Sequence, residues 1–250
     1  MEQKMKFILR ISLSLFVTIA FTLWNTSSAG TVRMNFTDGA EYSGAITGKV
    51  NFVGAVSADN LTFSGSVTSD AIITGGNVKV ASASPFGANI IMNGGALETT
   101  AAMNVPMLVI NANSTLTADA AATLTGMDGT QKLTIAGTGI VTPADLSGAG
   151  AAVDISGKVN FGASAASKLP AADVNVLSGG LAKVMAATAD CAPDDMIVQS
   201  GGVLEVADSV SVPASGAGDL FGTLKFTSGA TLKLGNAAVW ARAITVGSFD

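Results

Sequence analysis

The chain has 250 residues, a net charge of −5 and no histidine. The missing histidine removes Ser–His and Cys–His nucleophilic catalysis and the usual zinc and copper ligands. The acidic balance argues against nucleic acid, whose phosphates need a basic footprint, and gives no reason to expect anionic lipid.

The first element in chain order is an export signal, residues 1–29. Lys4, Lys6 and Arg10 against Glu2 make a basic start, and Ile11–Trp24 is apolar apart from Ser12, Ser14, Thr18 and Thr22. That run of fourteen residues is short for a permanent span of about 20. Ser27-Ser28-Ala29 then supplies the small residues a signal peptidase reads, so cleavage is expected between Ala29 and Gly30. The mature chain, 30–250, is read as one domain of about 221 residues with a net charge near −7, exported and with no membrane span left after cleavage.

Helical periodicity is nearly absent beyond that point. Short runs with period two follow instead, separated by Gly, Ser, Asn, Asp and Pro. Lys49-Val50-Asn51-Phe52, Asn77-Val78-Lys79-Val80, Asp173-Val174-Asn175-Val176 and Thr223-Leu224-Lys225-Phe226 each place two apolar side chains on one face of a strand.

A degenerate repeat runs through these strands. Ser178-Gly179-Gly180-Leu181-Ala182-Lys183-Val184 is echoed by Ser200-Gly201-Gly202-Val203-Leu204-Glu205-Val206 and by Ser228-Gly229-Ala230-Thr231-Leu232-Lys233-Leu234. With looser copies, the starts fall at 47, 74, 93, 112, 136, 156, 178, 200 and 228, with gaps of 19 to 28 residues. One turn of a β-solenoid takes roughly 20–30 residues, and the glycine pair suits a tight corner. The apolar positions after it would stack from turn to turn into buried columns, which no single turn could form alone. The expected fold is therefore all-β: a single-stranded parallel β-helix of about nine coils, roughly 40 Å long. The alternative is a β-sandwich with glycine-rich turns, which has no need of a 22-residue echo.

The Ser-Gly-Gly-x-Leu-x-Val pattern, over residues 40–236, resembles the passenger domains of bacterial autotransporters. The resemblance implies a right-handed parallel β-helix displayed on, or shed from, an outer membrane, commonly as an adhesin, coat or stalk. Members carry a C-terminal translocator barrel, and the sequence up to Phe249-Asp250 holds no run of strands suited to one.

Residues able to carry chemistry are few. Cys191, the single cysteine, sits among Asp190, Asp194 and Asp195, which would raise its pKa and make it a poor nucleophile. Gly157-Lys158 lacks the rest of a phosphate loop, and the glycines at 216, 218 and 222 are misspaced for a dinucleotide site. Asp190, Asp194 and Asp195 are the one tight acidic cluster: a solvated loop, or else a surface calcium site. No cofactor is expected. At the end of the chain, Trp240, Arg242, Ile244 and Val246 form a strand-like segment, read as a cap on the last coil or a contact with another subunit.

These readings converge on a non-catalytic structural or adhesive protein, exported to the extracellular space or outer cell surface. Its partner would be a surface ligand of unknown identity or other copies of itself. A self-polymerising fibre subunit is the alternative, and a polysaccharide lyase or hydrolase on the same scaffold the lesser one.

Overall fold

A computed structural model describes residues 23–26, 30–162, 172–185, 195–212, 223–241 and 243–247. Throughout these residues the chain is strand and turn without helix, wound into a parallel β-solenoid of about ten turns. The sandwich alternative is not what forms. All the described strand pairs are parallel except that of Leu23–Thr26 with Thr31–Phe36.

Each complete turn has three faces. Face one begins with Thr31–Phe36, on which Lys49–Gly54 and then Ala71–Thr74 are stacked; Ile90–Thr99 continues the stack through its first residues. Face two begins with Ala40–Tyr42 and Asn60–Phe63 and is the longest. It runs through Leu133–Ala136, Val153–Ile155, Val174–Val176, Asp195–Val198 and Thr223–Phe226 to Thr245–Val246. Face three begins with Ala45–Ile46 and Ser66–Val67, and later carries Lys158–Phe161, Leu181–Val184, Val203–Val206 and Thr231–Leu234. In the middle turns the chain bends without leaving the sheet. Met103–Ala118 is one strand that passes from face three through face one to face two.

The period-two runs seen in the sequence are what this geometry requires. On face two, Leu61, Val78, Leu97, Leu116, Ile135, Ile155, Val176 and Val198 occupy one register and are fully buried. Burying a Val or Leu side chain contributes about 1.5–3 kcal/mol, so each turn is held mainly by its neighbours' side chains. The first turns have an aromatic interior: Phe63 meets Phe52 edge-on at 5.2 Å and stacks with Phe86 at 5.9 Å and Tyr42 at 6.0 Å.

The glycine pair of the repeat does two different jobs. Gly179 has φ of +81° and Gly201 +78°, the left-handed region that glycine enters without steric cost. The second glycine is set by space: a Cβ at Gly180 would lie 2.1 Å from the carbonyl oxygen of Ile155, and one at Gly202 2.6 Å from that of Val176. Successive corners are also tied along the axis. Gly179 N–H donates to the Gly201 carbonyl, and Gly201 N–H to the Gly229 carbonyl, both at 3.0 Å.

The repeat starts do not all mark one corner. Those at 74, 93 and 112 join face one to face two, those at 136, 156, 178, 200 and 228 join face two to face three, and that at 47 precedes face one. The alike segments Lys49-Val50-Asn51-Phe52 and Lys158-Val159-Asn160-Phe161 therefore lie on different faces. Counting starts gave about nine coils; the stack has about ten turns.

Candidate functional site

Outward side chains are organised as ladders along the axis. In the first four turns, Asn60 Nδ2 donates to Asp38 Oδ1 at 2.8 Å, and Asn77 Nδ2 lies 3.1 Å from Asn60 Oδ1 and 2.8 Å from Glu98 Oε2. Glu98 also pairs with Lys79 at 2.5 Å. Burial pushes the Glu98 carboxyl up, but the hydrogen bonds from Lys79 and Asn77 outweigh it and hold the group below the ordinary carboxylate range. The Lys79 ammonium is raised in turn by its hydrogen bond and charge contact with Glu98.

A second ladder crosses face three. Lys183, Glu205 and Lys233 are register partners on consecutive turns, and Glu205 binds Lys183 through Oε1 at 2.7 Å and Lys233 through Oε2 at 2.8 Å. Hydrogen bonds from both lysines lower the Glu205 pKa. A third ladder joins Lys132 to Asp154 at 2.8 Å, with Asn175 donating to the other oxygen of Asp154 at 2.9 Å. These side chains fix the axial register of the turns and leave their acids engaged by cations and amides.

Face one differs. Its outward register carries Arg33, Asn51, Ile72, Ile91, Val109 and Asp128, so an aliphatic strip three turns long is bounded by polar residues. An open depression of about 390 Å³ near the first turn is lined by Arg33, Asn35, Phe36, Thr37, Val53 and Ala55. Arg33 is its one charged group, and it donates to Asn35 Oδ1 at 3.0 Å.

Of the residues singled out in the sequence, Asp190, Cys191, Asp194, Arg242 and Ala29 lie outside the described residues. Asp195 opens the face-two strand Asp195–Val198. Its carboxylate pairs with Lys225 on the next turn, and its N–H donates to Asp173 Oδ1 at 3.1 Å. The Asp195 oxygen that pairs with Lys225 is thus already engaged by a cation. Among the described residues, no group of three or more Cys, Asp or Glu side chains converges as a metal site would require.

At the other end of the chain, Val239–Trp240 pairs in parallel with Ser211–Val212, placing Trp240 opposite Val212. Trp240 and Ile244 are half-buried against the core, whereas Val246 is 74% exposed. Gly30 forms the turn into Thr31–Phe36.

The ladders were overlooked in the sequence although a signal for them exists. Lys183, Glu205 and Lys233 occupy the same position of the Ser-Gly-x repeat with alternating charge. In a stack of in-register turns that alternation places opposite charges next to each other.

No family model, curated protein or solved structure matches this chain.

Proposed function

We propose that the mature chain is an exported, non-catalytic structural or adhesive element: a stiff β-rod of the autotransporter-passenger type that presents loops and an aliphatic strip to its surroundings. The observation that carries this reading is the ladder system. Outward carboxylates such as Glu98, Glu205 and Asp154 spend their hydrogen bonds on adjacent turns, which suits stiffness better than catalysis. Three internal segments outside the described residues are flanked at related places in the winding. The strands flanking 163–171, 186–194 and 213–222 belong to consecutive turns, and each segment precedes a face-two strand. The aliphatic strip of Ile72, Ile91 and Val109 is the side best suited to an apolar contact.

Immunogold labelling of intact producing cells with antibody to the mature chain tests the reading. Label on intact cells or in the medium is expected, and label only after permeabilisation overturns it. Cleavage of a polysaccharide by purified mature protein, lost in Asp194→Ala with Asp195→Ala, would move the chain to the enzyme class.

A further inference from the structure

The outward register of face one runs without a shift through six consecutive rungs: Arg33, Asn51, Ile72, Ile91, Val109 and Asp128. Neighbours along these strands, such as Phe52, Ile73 and Ile90, are fully buried, so the six side chains point away from the core. The middle three are aliphatic, and Met107, beside Val109 on the same strand, is 37% exposed. The two ends carry opposite charges and are exposed. Arg33 donates to Asn35 Oδ1, and Asp128 Oδ1 accepts from the Gly129 N–H at 2.7 Å. Neither meets an oppositely charged group among the described residues, whereas Lys49, Lys79 and Lys132 are all paired with carboxylates inside the rod.

We infer that this register is a contact between two copies of this chain, laid face to face with their long axes antiparallel. The inference rests on the reading of the aliphatic strip as the rod's contact side. A strip with a cation at one end, an anion at the other and apolar residues between is its own complement. A two-fold axis parallel to the strands, midway between the rungs of Ile72 and Ile91, reverses the order of the six residues. Each copy's Arg33 then faces Asp128 of the other, and each Ile72 faces Ile91 of the other. Both charge pairs form together, because the same five strand spacings, about 24 Å, separate the two residues on either copy. With the axes parallel instead, Arg33 would face Arg33 and Asp128 would face Asp128, and like charges oppose the contact.

The flanking outward positions accept the same arrangement. Lys49 would lie over Met107 with its ammonium already held by Asp70 at 2.9 Å, so no unpaired charge is covered. Asn51 would meet Val109, and its amide oxygen already accepts from Thr74 at 3.0 Å. Beside Arg33, the depression lined by Asn35, Val53 and Ala55 leaves room for the other copy's carboxylate. Six rungs with three outward positions each cover roughly 400 Å² per copy, at the small end for a specific contact. The dimer is therefore weak, with a dissociation constant on the order of 100 μM. Identical patches that cover each other leave nothing for a third copy, so assembly stops at two.

Sedimentation velocity of the mature chain from about 10 μM to about 1 mM tests the inference. A monomer–dimer equilibrium is expected, with no larger species. Arg33→Asp and Asp128→Arg each bring like charges together and are expected to weaken the dimer by about tenfold or more. Combining Arg33→Asp with Asp128→Arg restores the pairs in reverse, and affinity is expected to return to within about threefold of the parent. Ile91→Lys, at the centre of the strip, is expected to abolish dimerisation. Each variant should keep the parent's circular dichroism spectrum, since all three positions face outward.

A parent chain that is monomeric at the highest concentration, single reversals that dimerise as well as the parent, or a double variant no better than the singles each overturns the inference. Larger assemblies in place of the dimer overturn it too, because they need two different surfaces. Surface labelling of cells is independent of these outcomes. A monomer with label on cells removes the dimer and leaves the rod, and a dimer with label only after permeabilisation keeps the contact and removes export.

Discussion

The first and last turns obey the same alternating pattern and arrive at opposite states of burial. In the first turn Met34 and Phe36 are 2% and 4% exposed, and Tyr42 leans on the stacked rings of Phe63 and Phe86. In the last, Leu234 sits in register with the fully buried Val206 and is nearly half exposed. The first rung of face one is also covered by the antiparallel strand Leu23–Thr26. Among the described residues no strand lies on the last rungs, although Trp240 and Ile244 still pack against the core. Inward direction is thus a local property of a strand, while burial depends on whether another rung lies above it.

The comparison breaks first at its aromatic end. Phe63→Ala is expected to cost about 3–5 kcal/mol, seen as a lower urea midpoint, because it empties a site walled by Tyr42, Phe52 and Phe86. Leu234→Ala at the open end should cost under about 1 kcal/mol. Equal losses would mean that the last turn is covered in solution.

The corners sharpen it next. Gly180→Ala drives a methyl group into the Ile155 carbonyl and is expected to cost about 2–3 kcal/mol. Gly179→Ala has open space at Cβ and bears only the strain of positive φ, about 1–2 kcal/mol. Thermal denaturation of the two variants should rank them in that order.

The interior contains one polar position open to improvement. Thr99 is fully buried in register with Val80 and Ala118, and its hydroxyl has no hydrogen-bond partner. Thr99→Val keeps the shape and removes an unsatisfied group, so a gain of about 1 kcal/mol in denaturant unfolding is expected.

The smallest effect belongs to the ladders. Glu98 and Glu205 have folded-state pKa values below their ordinary ones. Their contribution is therefore fully present above the ordinary glutamate range and is lost as pH falls through the lowered values. Melting temperature should be flat near neutrality and fall below about pH 4.5. Glu205→Gln should remove most of the face-three share, about 1 kcal/mol or less given the exposure of Lys233.

How much of this could be seen beforehand differs from residue to residue. Val50, Phe52, Val78 and Val80 declared their inward side through period two alone, because strand geometry puts alternate side chains on one face. The Ser-Gly-Gly corners were equally plain, although what each glycine does was not. Positive φ at Gly179 and the close carbonyl at Gly180 look the same in a string of letters. The face to which a corner belongs was hidden too, since Lys49–Phe52 and Lys158–Phe161 are nearly identical locally.

The sequence by itself determined the strand type, the repeated winding and the inward residues, because all three follow from contacts within one turn or from a repeat of turns. The tertiary structure decided the three faces, the partners of Asp195, Glu98 and Glu205, and the unequal ends. Each of these depends on which residue some twenty positions away lies one strand spacing above. Insertions at any corner shift that pairing without altering the local pattern.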